Sequence, residues 1–157
     1  MHVVSRETLR IDLTLAALNE FSLKLTDIQN AYITAPFTEK KWKILAQGFG
    51  KDAGRKSILV RDLYGFKIAG SAFRNHFADF IHCFGLFPCP ADLDLWIKPI
   101  VRPEDGFEYY AYVIIYMDDV MVIHNKAESV FRRIDSYFKL NPSLIGDPGI
   151  YLEAKLK

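Results

Sequence analysis

Two apolar runs, residues 110–115 and 120–123, are separated only by Tyr116, Met117, Asp118 and Asp119. Their β-branched and aromatic content and their closeness predict a β-hairpin with acids at its tip. Upstream, Leu9, Leu13, Ala16 and Ala17 fall on one side of a helix predicted from residue 6 to about 19, with Ser5 as its cap and Glu7 in its first turn. Phe21, Leu23 and Leu25 then alternate with polar neighbours, so a strand runs into Asp27. Pro36 leaves room for only about a turn and a half of helix after it. Strands are predicted at 42–46 and 57–60, around a Gly-rich loop at 48–56. Phe73, Phe77, Phe80, Ile81 and Phe84 recur at helical spacing, so a helix capped by Ser71 buries an aromatic stripe in the core. Pro88 and Pro90 break the chain before a short strand at 95–97 and a turn at 103–106. A third amphipathic helix carries Ala127, Val130, Phe131, Ile134 and Phe138, and a last strand at 150–157 has one apolar face. The class is α+β, an antiparallel sheet with helices packed on one face.

Composition narrows the function. The chain has 157 residues, half of them apolar or aromatic, which suits one compact domain spanning 1–157. A net charge of +1 excludes a globally basic nucleic-acid binder, so any basic groove must be local. No run is long and apolar enough to cross a membrane, and the N-terminus lacks a signal-peptide layout. Cys83 and Cys89 form no CxxC pair and have no His at zinc spacing, so they are expected to be free core thiols of an intracellular protein. His76, His82 and His124 have no motif partners, and no repeat is visible.

The chemistry gathers at the hairpin tip. Tight hairpin turns favour Gly or Asn, and this one carries Met and Asp instead. Neighbouring carboxylates repel, so one stays protonated unless a cation lies between them. Hard divalent ions such as magnesium prefer oxygen ligands and leave room for substrate phosphates. A third acid, Asp27, ends a strand. If that strand neighbours the hairpin, the three acids could hold two ions about 3.5–4 Å apart, a geometry suited to in-line phosphoryl or nucleotidyl transfer. The plain alternative is a solvated turn between two strands.

The sequence also resembles a family. The segments Leu25-Thr26-Asp27-Ile28-Gln29-Asn30-Ala31-Tyr32, Leu63-Tyr64-Gly65-Phe66-Lys67, Tyr116-Met117-Asp118-Asp119 and 150–157 resemble, in order and spacing, the reverse transcriptase of copia-type long-terminal-repeat retrotransposons. So does the linking text Ala91-Asp92-Leu93-Asp94-Leu95-Trp96. The resemblance implies a polymerase palm with incomplete fingers and no thumb, acting as an RNA-directed DNA polymerase with two Mg2+ ions, or Mn2+ in their place. It implies Asp27, Asp118 and Asp119 as catalytic metal ligands, with the Ile28 carbonyl as a further ligand. Asn30 and Ala31 would offer amides to the triphosphate, Tyr32 would exclude a 2′-hydroxyl, and Tyr64 and Gly65 would line the nucleotide pocket. Met117 would lie near the primer end, and Leu152 with Glu153 would form the primer grip. RNA template, DNA primer and deoxynucleoside triphosphates are the implied partners, without a membrane, in a cytoplasmic particle or the nucleus. Glu153 stands where the family has Gly, and Gly70 and Leu93 stand where it often has Pro. Three rivals remain: an inactive remnant with the same fold, another palm-type nucleotidyl transferase, and a plain α+β binding module. The last would be supported by an Asp27 far from the hairpin tip.

Overall fold

The hairpin forms as its pattern predicts, and a sheet grows outward from it. Strands β6 (Glu108–Tyr116) and β7 (Asp119–His124) pair antiparallel, from Tyr116 opposite Asp119 to Tyr112 opposite Ile123. On one side β1 (Ser22–Asp27) joins β7; on the other, β5 (Asp92–Val101) and β4 (Phe87–Cys89) follow β6. The result is a five-stranded antiparallel sheet in the order β1-β7-β6-β5-β4. This computed structural model describes residues 4–36, 40–61, 69–141 and, as backbone, 150–151 and 154–155. Within it, residues 1–29 with 78–157 form one compact unit, and residues 30–77 form another. The class is α+β.

β6 and β7 are apolar on both faces, so both faces need a cover. Against one face, α1 (Arg6–Leu18) sets Leu9 and Ala16, together with Val4, on Leu95, Ile114, Met121 and Ile123. Against the other lie Ile134 of α4 (Ala127–Asp135) and Ile81 of α3 (Ala69–His82), facing Val113 and Val122. Helices on one face only were expected, and that expectation is corrected. Met121 and Val122 point to opposite sides of one strand, and so do Val113 and Ile114. All four are at most 1% exposed, and each such aliphatic side chain contributes about 1.5–3 kcal/mol on burial.

Several local expectations shift. In α1, Ala17 is exposed, whereas Asp12 lies 2% exposed on the buried face. The helix ends in a Schellman turn in which Phe21 N–H donates to Ala16 O at 2.9 Å, with Glu20 in the left-handed region at φ 54°. Ser71 is not a cap but lies inside α3. β5 is ten residues long rather than short. Pro99 fits in it because β4 pairs no further than Ile97, so the missing N–H breaks no ladder bond on that side. Pro88 lies in β4 itself, an edge strand, which also tolerates it. α4 stops at Asp135, and Phe138 is buried just beyond it. Cys83 and Cys89 are free as expected, but Cys83 is exposed in the turn after α3 and Cys89 only half-buried, so neither is a core thiol. The last strand is instead two short ones, β8 (Ile150–Tyr151) and β9 (Ala154–Lys155), paired antiparallel. Alternation of period two does not distinguish one strand from two arms of a hairpin.

The unit 30–77 holds α2 (Ala31–Thr34), a hairpin of β2 (Trp42–Ile44) and β3 (Lys56–Ile58), and the first part of α3. The predicted loop between β2 and β3 contains a 3-10 turn, Gln47–Asp52.

Candidate metal centre

The sheet order brings the acids together. β1 is the neighbour of β7, and its last residue, Asp27, sits directly opposite Asp119. Asp118 lies in the two-residue turn that joins β6 to β7. One carboxylate oxygen from each of Asp27, Asp118 and Asp119 lies within 4.8 Å of the others. The separation between Asp27 and the tip that would have supported a plain binding module is therefore not there.

Backbone bonds hold this corner. Ile28 N–H donates to Asp118 O at 2.8 Å, which ties the end of β1 to the turn. From the segment after α4, Asn141 N–H donates to Asp27 O at 3.0 Å, and Lys139 O accepts from Gln29 N–H at 2.8 Å. Thr26, 1% exposed, gives its hydroxyl to Asn141 O at 3.2 Å. The turn itself is strained. Met117 has φ 58°, the left-handed conformation that a tight hairpin demands and that Gly would supply without cost. For a residue with a Cβ this costs about 1–2 kcal/mol.

The three carboxylates are half-buried and disturb one another. Burial, then Asp118 and Asp27, push the Asp119 carboxyl up to about 6. Burial, then Asp118, also raise Asp27. An all-oxygen set of carboxylates in one corner is the donor chemistry that hard divalent cations take. These residues fit such an ion.

The other residues singled out in the sequence divide by unit. Ile28 is 1% exposed and belongs with the acids. Met117, 45% exposed, stands at the hairpin tip beside them. Asn30, Ala31 and Tyr32 fall in the unit 30–77. There Asn30 takes the left-handed conformation at the start of α2, Ala31 is fully buried, and the half-buried Tyr32 ring meets Phe73 edge-on at 6.1 Å. Tyr64, Gly65, Leu152 and Glu153 lie outside the described residues.

One feature escaped the sequence reading. Between residues 40 and 61 stand seven basic side chains and a single acid, Asp52. On the β2–β3 hairpin, Lys43 and Lys56 are exposed beside Trp42 and Ile44, which are 55% and 72% exposed. Lys56 Nζ lies 5.5 Å from the Trp42 ring centroid. Exposed aromatic and basic side chains interleaved in this way suit single-stranded nucleic acid, whose bases stack and whose phosphates attract cations. The signal was present in the local charge, but the whole-chain balance of +1 concealed it.

No protein-family model matches the chain, and no curated protein sequence matches it. Among the described residues no helix is long and apolar enough to cross a membrane.

Proposed function

We propose that this chain is the palm region of a reverse transcriptase of the copia type, an RNA-directed DNA polymerase that uses magnesium at Asp27, Asp118 and Asp119. The meeting of these acids within 4.8 Å, from strands far apart in sequence, carries the reading. It is supported by the order of the motifs along the chain and by the basic hairpin at 40–61, whose chemistry suits a template strand.

Each part of the corner has a role in this reading. β1 and β7 fix two of the acids by ladder register, and the Met117-Asp118 turn adds the third from the tip. The bond from Ile28 N–H to Asp118 O keeps the turn from drifting away from Asp27. Ions bound by the three carboxylates would stabilise charge on the attacking and leaving oxygens of nucleotide transfer. Without them burial, and then the charges of Asp118 and Asp27, hold the Asp119 carboxyl up to about 6. Exposed Met117 stands where a primer end could rest against the tip.

Primer extension on a primed RNA template tests the reading. The chain should add deoxynucleotides with magnesium, and Asp118→Asn should abolish addition. Manganese binding, measured in parallel by electron paramagnetic resonance, separates the outcomes. Binding without extension marks an inactive remnant of the same fold, and no binding removes the metal centre altogether.

A further inference from the structure

We propose that the far end of the same sheet holds a second binding site, for a compact apolar monocarboxylate. His124 closes β7 at the end opposite Asp119, about 17 Å away along the strand. Beside it, between the sheet and the helices α3 and α4, is a cavity of about 140 Å³. Its floor is Ala111, Val113 and Val122, and Ile81, Leu86 and Ile134 line its walls. A cavity of about 150 Å³ with such walls holds one benzene ring. The space is therefore sized for a single ring or a short alkyl chain.

The polar groups in its lining select the charge. Lys98, Arg133 and His124 all line the cavity, and among the described residues no carboxylate does. The Arg133 guanidinium lies 4.1 Å from the Phe84 ring centroid, and among the described residues it has no acidic partner. That stacking leaves the edge of the guanidinium free, and the edge is what pairs a carboxylate with two parallel bonds. Lys98 Nζ donates to Phe84 O at 2.7 Å and retains two further N–H groups. His124 Nδ1 accepts from Lys126 N–H at 2.7 Å, so the neutral ring carries its hydrogen on Nε2 as a donor. Donors without a carboxylate around an apolar pocket call for an anion with an apolar body. A phosphate would fill the rim and leave the pocket empty.

The ligand is tested with benzoate and hexanoate, followed by the methyl resonances of Ala111, Val113, Val122 and Val130 in carbon-correlated NMR. Saturable shifts of these methyls by either carboxylate support the site, and the tighter of the two tells whether a ring or a chain fills it. Benzamide, which has the same shape without charge, should bind at least tenfold more weakly. Arg133→Gln, at an exposed helical position where folding is safe, should weaken benzoate by about tenfold through loss of a charged hydrogen bond. Absence of saturable shifts, equal binding of benzamide, or indifference to Arg133→Gln would each overturn the proposal.

Discussion

Asp12 is a carboxylate in the core, and its effect on stability has a definite sign. It lies on the buried face of α1 at 2% exposure, and among the described residues its Oδ2 has no hydrogen-bond partner. Burial, and then the charge of Asp92, push its carboxyl up to about 7 from 3.8. The folded chain therefore binds this proton more tightly than the unfolded chain does. Stability is complete below pH 3.8, declines as pH rises toward 7, and is flat above that. A rise of about three units is worth about 4 kcal/mol, and relaxation of the side chain toward water reduces the effect to between about 2 and 4 kcal/mol. Asp12→Asn removes the charge and keeps the shape. Urea unfolding at intervals from pH 4 to 8 gives the stability of both proteins. The variant should gain on the parent as pH rises from 4 toward 7 and hold that gain to 8, because groups common to both cancel in the difference. The absolute offset carries the cost of placing an amide there, so the slope is what decides. Parallel curves would refute the reasoning.

Three further outcomes follow from the proposed function and the described geometry together. Magnesium at ten times its dissociation constant should stabilise the fold by about 1.4 kcal/mol, read as a rise of about 3–6 °C in Tm, while Asp118→Asn should raise the ion-free Tm and abolish the response. Glu20→Gly removes a side chain from the left-handed residue of the Schellman turn and should stabilise by up to about 1 kcal/mol in chemical denaturation; a loss of stability would show that Glu20 makes a compensating contact. Reversing Lys43 and Lys56 to Glu should weaken single-stranded RNA binding and flatten the plot of log affinity against log salt by about 1.4, the share of two phosphate contacts; an unchanged slope removes the β2–β3 hairpin from the interface.

Much of this was legible because it is local. The β6–β7 hairpin follows from two apolar runs and a four-residue gap, and the strand ahead of Asp27 follows from alternation at Phe21, Leu23 and Leu25. The order of strands is not local. Nothing between residues 28 and 118 says that β1 lies beside β7 rather than β5, and the acid cluster depends on that neighbour. The motif order suggested it, and the ladder from Ser22–His124 to Asp27–Asp119 supplies it. Other features were missed for identifiable reasons. Helical spacing placed Ala17 on the apolar face, yet the buried stripe of Leu9, Asp12 and Ala16 rotates away from it and takes in an acid. The cover on both sheet faces was visible in the unbroken apolar run 120–123, which marks a strand buried on both sides. Pro99 hid the length of β5, because a proline reads as a break until the neighbouring strand is known to end before it.

The acid corner is built against its own electrostatics. Asp119 is paired on both sides, with Asp27 on β1 and with Tyr116 on β6, so it cannot move away from the other two acids without breaking ladder bonds. Asp118 is held by Ile28 through the backbone, and its turn is closed by a residue in a conformation that Gly would adopt freely. A hairpin whose only task was to reverse direction would gain stability from Gly at 117 and a neutral residue at 118. This chain instead sustains strain and repulsion at one spot and spends buried backbone bonds to keep it in place. Such a concentration of unfavourable terms persists where something else is gained in return. A divalent cation at this corner would remove the repulsion and make use of the rigidity, and this coupling is what the magnesium response of the parent and of Asp118→Asn measures.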